Sequence, residues 1–432
     1  MSYNDYGSVK TNSKTFQESL VKNSSNGSLN SQDSAHDLEA GNHGKQKNKS
    51  SQSEDSQLGL KKKVLLMGLD RSGKSSISKV LFSNDVQAKN NVINLGNYVN
   101  IIENLKGKLL DLKIYEIENF DMNEILQLQQ LYYNNNLVNK NNVNEGIGEI
   151  SNEDIEDAFY KNSGFSKFFD DVGTIIYVVD STSEYLASLA NLSMLIELAY
   201  KFYKANNDTS DDFNINFEVL IHKVDSLNED FKLDTQRDIM QRIQDELLDL
   251  GIENVAINFY LTSIFDYSIY EAFSRITQKL ILELPFIENL LDNFIMNCHN
   301  SIDKIFLFDI NSKIYISTDS SPVNILSYEV CSEFIDVTLD LKDLYEDENP
   351  KKNKKKALKA YSRLNNDFSI YMNEVFKNLC VVILINNNNA NEFINNEVSN
   401  AVNFSNVSNK MLMTLIDYNF NILKGTLKKI LK

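Results

Sequence analysis

The chain has 432 residues, of which 42% are hydrophobic and 24% charged, so it is long enough for two ordinary domains and tails. Its formal net charge is −17, whereas proteins that bind the nucleic-acid backbone usually carry a basic surface, so nucleic acid is not expected as a partner. The three cysteines lack metal-ligand spacing, and no apolar run approaches the roughly 18 residues of a membrane span, so we expect an intracellular, soluble protein that meets membranes only indirectly.

The first 60 residues consist largely of Ser, Asn, Gln, Gly and Lys, with few large apolar side chains. A segment of this composition cannot bury enough surface to offset the entropy of ordering its backbone. Residues 1–60 are therefore predicted to form a disordered polar tail.

The stretch KKKVLLMGLDRSGKSSISKVLF, from Lys61 to Phe82, has the spacing of a phosphate-binding loop. An apolar run leads into Gly68, Gly73-Lys74-Ser75 follows, and apolar residues then recur at helical intervals. Strand, loop and helix in this order are the context that the pattern G-x-x-x-x-G-K-[ST] requires. A glycine-rich turn before an ordinary amphipathic helix would explain the glycines, but not Lys and Ser at this register.

The chemistry of such a loop follows from its backbone. The two glycines let successive N–H groups turn toward the phosphates, and the helix directs its positive dipole end at the same anion. Lys74 is expected to reach the β- and γ-phosphates, and Ser75 to offer its hydroxyl to Mg²⁺. The predicted phosphate-binding residues are Gly68, Asp70, Arg71, Ser72, Gly73, Lys74, Ser75 and Ser76.

Downstream, the pattern predicts an α/β fold with a doubly wound, mainly parallel sheet. Residues Asn84 to Asn100 are predicted as a loop, and Lys108 to Ile117 as a strand. An Asn-rich insertion at about 118–164 is predicted to be a mobile surface excursion. Apolar runs then predict buried strands at Gly173–Asp180, Phe217–Ile221 and Val255–Leu261, and helical spacing predicts helices at Ser183–Tyr203, Asp234–Leu250 and Tyr267–Leu284.

The periodicity changes near Pro285, which predicts a boundary between a nucleotide-binding domain at 61–285 and a smaller α/β domain at 286–432. Two strands with a turn at Asn311-Ser312 are predicted within Ile302–Asp319, and a further strand at Leu379–Ile385. Helical spacing predicts helices at Phe286–Met296, Pro322–Leu341 and Phe393–Leu431. No catalytic constellation is evident in this second domain.

The sequence His222-Lys223-Val224-Asp225, at a predicted strand end, bears on the choice of base. A carboxylate at this position can accept paired hydrogen bonds from guanine N1–H and its exocyclic amine, whereas adenine lacks matching donors. The first residue of this motif is usually Asn, and a neutral His222 ring can still bond across to the phosphate loop. A surface ion pair is the alternative interpretation of Lys223 and Asp225. The predicted guanine-binding residues are His222, Lys223, Asp225, Ser263 and Ile264.

These segments together resemble the Rag small GTPases, of the RagC/RagD type in its fungal form. The similarity lies in VLLMGLDRSGKSSISKVLF, GTIIYVVDS, EVLIHKVDSLNEDFKLDTQRDIMQR, FYLTSIFDYSIYEAFSRI and FLFDINSKIYISTDSSPV, and HKVD is itself a mark of that family. The resemblance implies an N-terminal GTPase domain and a C-terminal roadblock/longin-like domain that pairs with a RagA/RagB-type subunit. It further implies a cytoplasmic heterodimer held peripherally on the vacuolar or lysosomal membrane by a scaffold complex. There it would relay amino-acid sufficiency to the target-of-rapamycin kinase complex.

The two switch segments depart from the usual GTPase pattern. No Thr occurs between Asn84 and Gly107, and around Glu116 the expected Gly and Gln are missing. Glu116 can supply the acidic residue behind Mg²⁺. We therefore hypothesise that the chain binds GTP or GDP with Mg²⁺ but hydrolyses GTP slowly, or needs a partner to do so. The alternatives are a pseudo-GTPase interaction scaffold and an ATP-dependent P-loop kinase. The guanine-type HKVD argues against the kinase.

Overall fold

The computed structural model describes the chain in segments: 63–82, 90–95, 99–109, 112–118, 120, 125–131, 159, 168–169, 171–206, 215–252, 255–298, 301–345, 357–365, 367–376, 378–388 and 405–431. The predicted tail at 1–60 and most of the Asn-rich insertion lie outside the described residues. The described residues belong to one compact unit, Leu58–Lys432. None of the helices in this part of the chain combines the length and apolar character needed to cross a membrane.

The first sheet has seven strands in the order β2-β3-β4-β1-β5-β6-β7. Strands β4, β1, β5, β6 and β7 run parallel, and β2, β3 and β4 pair antiparallel. The strands are β1 Lys63–Gly68, β2 Asn90–Leu95, β3 Val99–Leu109, β4 Leu112–Glu118, β5 Val172–Asp180, β6 Asn216–His222 and β7 Ile257–Thr262. The helices between them are α1 Lys74–Phe82, α2 Leu186–Asn206, α3 Glu229–Asp249 and α4 Ser268–Lys279. The predicted doubly wound α/β class is confirmed.

Helices cover both faces of this sheet, which explains why its central strands are continuous apolar runs. One core cluster joins α2 and α3 to the sheet, and a second joins α1 and α4 to the opposite face. Strand β5 lies in the middle and is buried along all but its last residue. Its carboxyl end therefore emerges, with those of β1 and β6, at the edge where parallel sheets bind ligands.

The predicted loop from Asn84 to Asn100 is wrong for Asn90–Leu95, which forms the edge strand β2, and for Val99 and Asn100, which begin β3. This strand pairs antiparallel with β3, from Asn90 opposite Asn104 to Leu95 opposite Val99. The ladder consists of backbone hydrogen bonds, so an edge strand needs no continuous apolar run to form. A single strand was predicted at Lys108–Ile117, but the structure divides these residues between the end of β3 and most of β4.

Parts of the Asn-rich insertion contribute to the core. Ile125 and Leu128, in the helical segment 125–131, and Phe159 are buried in the cluster that contains Leu65 and Tyr177. The prediction of a surface excursion therefore does not hold at these three positions. Single apolar side chains within a polar, low-complexity sequence give no periodic signal, although each can fill a gap over the sheet.

The second sheet has five strands in the order β10-β11-β12-β8-β9, all paired antiparallel. The strands are β8 Ile302–Asp309, β9 Tyr315–Thr318, β10 Lys359–Arg363, β11 Phe368–Phe376 and β12 Leu379–Asn386. The helices are α5 Leu284–Asn297, α6 Ile325–Tyr345 and α7 Ser405–Ile430. Helices α5 and α7 pack on one face and α6 on the other. This antiparallel architecture fits the expected roadblock-like domain, although β10 and β11 had no sequence prediction.

Helix α4 lies between the two sheets and contacts both. Its residues Ile269 and Phe273 belong to the core of the first sheet, and the Ser274 hydroxyl accepts a hydrogen bond of 3.1 Å from the backbone N–H of Tyr315 in β9. Ile314, which precedes β9, is fully buried in the same core cluster as Phe273. The turn between β8 and β9 thus supplies an apolar side chain to the core of the first sheet.

Candidate nucleotide-binding site

The phosphate loop between β1 and α1 has two positions that only glycine can occupy. Gly68 has a φ of 144°, and an added Cβ would lie 2.5 Å from the carbonyl oxygen of Val178. Gly73 has a φ of 112°, and its Cβ would lie 2.6 Å from Cδ2 of His222. Left-handed φ values and close approaches of this kind exclude a side chain. The glycines of the motif therefore shape the loop against its neighbouring strands.

Lys74 is held inside this loop. Its Nζ donates hydrogen bonds to the carbonyl oxygens of Gly68 and Leu69, at 2.7 and 2.9 Å. Burial lowers the pKa of Lys74, and three nearby carboxylates act against that shift: Asp70, Glu116 and Glu118. The Lys74 side chain is thus buried, and its ammonium is held by two carbonyl oxygens of the loop. An anion at this position would meet a positive charge that is already oriented.

Ser75 of α1 and Glu116 of β4 form a hydrogen-bonded pair between helix and sheet. Glu116 lies on β4 opposite Leu66 of β1, and its side chain is buried. The Ser75 hydroxyl donates to Glu116 Oε1 at 2.5 Å, and the Ser78 hydroxyl donates to Oε2 at 3.1 Å. Because the Ser75 hydroxyl donates its hydrogen bond to the carboxylate, the lone pairs of its oxygen remain available to a cation. This all-oxygen arrangement fits Mg²⁺, which is usually held by few protein oxygens together with phosphates and water.

An open cleft of about 420 Å³ lies over the phosphate loop. Its lining residues are Asp70, Arg71, Gly73, Lys74, Ser75, Ser76, Glu116, Glu118 and Lys223. Six of the eight predicted phosphate-binding residues are in this set. Gly68 lies behind the loop, and Ser72 is only 2% exposed, with a buried hydroxyl that has no hydrogen-bond partner among the described residues. The side chain of Ser72 is therefore not brought to the cleft.

His222 takes the position that Asn usually holds and links the phosphate loop to β7. Its Nδ1 lies 3.0 Å from the Thr262 hydroxyl, and its ring edge lies against Gly73. Burial lowers the pKa of His222, and the neighbouring Lys223 ammonium lowers it further. Three carboxylates partly oppose this shift: Asp225, Asp180 and Asp266. The ring therefore packs against the phosphate loop at Gly73 and pairs with Thr262, a partner that the sequence did not predict. A hydrogen bond from His222 to the loop itself stays a prediction.

Acid is expected to destabilise the fold through His222. Unfolding restores the ordinary imidazole pKa of 6.5, so below that pH the unfolded chain takes up a proton that the folded state resists. The contribution of His222 to the free energy of unfolding is thus complete above pH 6.5 and is lost as the pH falls toward the lower, folded-state pKa. Urea unfolding one pH unit above and one below this value measures the loss.

The variant His222→Asn should flatten this pH dependence, because its amide does not titrate. His36→Asn, in the predicted tail, is the matched control and should leave it unchanged. An equally steep pH dependence in His222→Asn would show that another group carries the effect.

Lys223 connects the phosphate loop with the end of β5. Its backbone is left-handed, with a φ of 64°, and its Nζ donates to the carbonyl oxygen of Arg71 at 2.8 Å and to Asp180 Oδ2 at 2.6 Å. Burial alone would raise the pKa of Asp180, but hydrogen bonds from Lys223 and Thr182 outweigh it and lower that pKa. Asp180 was not among the predicted site residues. Its place at the end of the buried strand GTIIYVVD was the signal that could have identified it.

Asp225 lies in a short 3₁₀ turn, Val224–Ser226, and its side chain is exposed. Its Oδ1 accepts a hydrogen bond of 2.7 Å from the hydroxyl of Ser263, which is fully buried. The backbone N–H of Ser263 in turn donates to the Ser268 hydroxyl at 2.9 Å. Ile264 is half-buried and packs against the core. The carboxylate is therefore oriented by the loop that follows β7, and its remaining lone pairs are accessible.

A glycine-shaped loop at the carboxyl end of a parallel strand, an interior lysine, and an oriented carboxylate two strands away define a P-loop G protein. The comparisons with known proteins agree: the model of the Gtr1/RagA G protein conserved region matches residues 63–335. The chain belongs to this family.

Three relatives illustrate the similarity. The GTP-binding protein GTR2 of Saccharomyces cerevisiae is 41% identical over 378 residues, covering 85% of this chain and 92% of the relative. GTP-binding protein gtr2 of Schizosaccharomyces pombe is 38% identical over 334 residues, covering 76% and 91%. Human Ras-related GTP-binding protein C is 39% identical over 330 residues, covering 75% and 70%. The predicted resemblance to RagC/RagD-type subunits is confirmed.

Proposed function

We propose that this chain binds GTP and GDP with Mg²⁺ and acts as a regulatory subunit of a Rag-type heterodimer. The heterodimer relays amino-acid sufficiency to the target-of-rapamycin kinase complex, and it is held by a scaffold complex on the vacuolar or lysosomal surface. The observation that carries the nucleotide part is the junction between the two halves of the site. Lys223 donates to the Arg71 carbonyl, and the His222 ring lies against Gly73, so the phosphate loop and the segment that carries the Asp225 carboxylate are in direct contact.

The residues have distinct roles in this proposal. Lys74 and the loop N–H groups bind the phosphates, and the Ser75 hydroxyl holds Mg²⁺ with Glu116 behind it. Asp225 accepts two hydrogen bonds from guanine, while the stem of Lys223 lies over the base. Ser263 and Ile264 form the loop behind the base. Slow hydrolysis stays a prediction, since the side chains between 83 and 111, where switch I would lie, are outside the described residues.

Thermal unfolding of the full chain with GDP, GTP or ATP, each with Mg²⁺, tests the proposal. A ligand at a hundredfold excess over its Kd adds about 2.7 kcal/mol of stability, so GDP and GTP should both raise the melting temperature. Chelation of Mg²⁺ should reduce the GTP shift most, because the metal offsets phosphate charge. No shift with any nucleotide would favour the pseudo-GTPase scaffold, and a shift with ATP alone would overturn guanine binding.

We also propose that residues 286–432 form the pairing domain for a RagA/RagB-type subunit. Helix α5 starts at Leu284 and packs on the second sheet with α7, which supports a boundary near residue 285. Helix α6 covers the other face, yet it keeps exposed apolar residues at helical spacing along its outer side: Leu326, Val330, Val337, Leu341 and Leu344. An apolar stripe of this length is typical of a surface that a protein partner covers.

Charged substitutions on this stripe are expected to abolish pairing. Val337→Glu combined with Leu341→Glu would bury two carboxylates in an apolar interface, at a cost of several kcal/mol and at least a hundredfold in affinity. Copurification with the RagA/RagB-type subunit measures the loss. The matched control is Leu233→Glu with Leu248→Glu, two exposed leucines of α3. Retained copurification of the α6 variant would place the interface elsewhere.

A further inference from the structure

A second cavity, of about 190 Å³, lies where α4 meets the second sheet and the start of α6. It shares no lining residue with the phosphate cleft. Its lining residues are Asp266, Tyr267, Ser268, Glu271, Tyr315, Val323, Ile325, Tyr328 and Glu329. Sites for whole small molecules usually measure roughly 300–1,000 Å³. This cavity therefore has the size for one side chain.

Three tyrosines form the walls of the cavity. The rings of Tyr267 and Tyr328 meet edge to face, with centroids 5.7 Å apart, and Tyr315 lies 5.7 Å from Tyr328. Aromatic faces carry negative potential and attract cations, most of all the planar guanidinium of arginine. The walls therefore suit a flat cationic group on an apolar stem.

The charges around the cavity are predominantly negative. Three carboxylates line it and no lysine or arginine does. Arg275 neutralises Glu271 at 2.8 Å, and the first turns of α4 and α6 each contribute about half a positive charge. The combined negative charge of the Asp266 and Glu329 carboxylates exceeds the combined positive charge of these two helix dipoles. The carboxylate of Glu329, in the first turns of α6, makes no hydrogen bond or ion pair with any described residue.

The Tyr315 hydroxyl is a further group without a partner. The side chain is 3% exposed and lines the cavity, yet its hydroxyl has no hydrogen-bond partner in the described part of the chain. The hydroxyl is not among the fully buried unpaired atoms, so a ligand in the cavity can reach it. Burial raises the pKa of Tyr315 to about 12, so the hydroxyl stays neutral and can accept a bond from an N–H donor.

We infer that this cavity binds the arginine side chain of a protein partner. The guanidinium stacks against the tyrosines and donates to the Glu329 carboxylate and the Tyr315 hydroxyl. Arginine is favoured over lysine because it combines a planar face with five donors. A protein source is favoured over a free amine because the rim is apolar and open: Ile325 is 58% exposed, and Phe265, next to Asp266, is 80% exposed.

Ligand-observed NMR titration of the full chain tests the inference. N-acetyl-arginine methylamide should bind saturably in the millimolar range, and the same compound built on citrulline, which is neutral, should bind at least about tenfold more weakly. A capped Leu-Arg-Leu peptide should bind more tightly than capped arginine, because its leucines contact the rim. Equal binding of peptide and capped arginine would overturn the assignment to a protein partner.

The variant Glu329→Gln should weaken capped arginine by about tenfold or more. Asp340→Asn, on the same helix but about 16 Å further along it, is the matched control and should not change binding. No saturable binding of capped arginine, or no effect of Glu329→Gln, would overturn the site. Because these titrations need no nucleotide, their failure is distinguishable from failure of the proposed nucleotide binding.

Discussion

Replacement of Lys74 by Met is expected to weaken GDP and GTP binding by roughly a hundredfold, which corresponds to about 3 kcal/mol. Hydrogen bonds to charged groups contribute more than neutral ones, and Lys74 supplies the charged donor in the interior of the loop. Met keeps most of the apolar stem and removes the buried charge. The fold should therefore survive, so that the loss reports on the phosphates.

Competition with a fluorescent guanine nucleotide measures this change in affinity. Lys79→Met is the matched control, since Lys79 is on the same helix, α1, but exposed to solvent. Affinities of Lys74→Met within about threefold of the unmodified chain would show that the loop does not hold the nucleotide through this residue.

Replacement of Asp225 by Asn should change which base is bound. The carboxylate accepts from guanine N1–H and the exocyclic amine, whereas an Asn amide presents N–H groups to at least one of these donors. The unpaired donors cost about 1–3 kcal/mol each, so GDP affinity should fall by about a hundredfold. Xanthine carries a carbonyl in place of the exocyclic amine, so the variant should prefer xanthosine diphosphate.

Titration of both diphosphates against both proteins measures the switch in base preference. In the Asp225→Asn variant the Ser263 hydroxyl can still donate to the oxygen of the new amide, so the loop geometry is expected to persist. Asp249→Asn, at the exposed end of α3, serves as the control. Unchanged GDP affinity in Asp225→Asn would mean that this carboxylate does not read the base.

The phosphate loop was predictable from sequence because its spacing is set by local geometry: a strand, a turn that needs glycine, and a helix start. The parallel sheet was predictable because β5 and β6 are continuous apolar runs. The contacts between polar residues at the strand ends were not predictable from sequence. Thr262 meets His222 and Asp180 meets Lys223 only because β5, β6 and β7 lie side by side, and single-sequence patterns do not encode which polar residues then face each other.

Other features escaped prediction because their signals were weak or depended on packing. Strand β2 is Asn-rich and is held by backbone pairing with β3, so its sequence resembles a loop. Phe159 fills the core from within a polar insertion. The tyrosine-lined cavity requires the packing of α4 against a second sheet, which no local motif specifies.

The burial of Ile314 has a thermodynamic consequence. Full burial of such a side chain contributes roughly 1.5–3 kcal/mol, and here the residue lies in the turn that joins two strands of the second sheet, while its apolar environment belongs to the first sheet. Loss of the second sheet would open a void beside Phe273, and loss of the first would expose Ile314 to water. The folding equilibria of the two sheets are therefore coupled, and each raises the population of the other's native state.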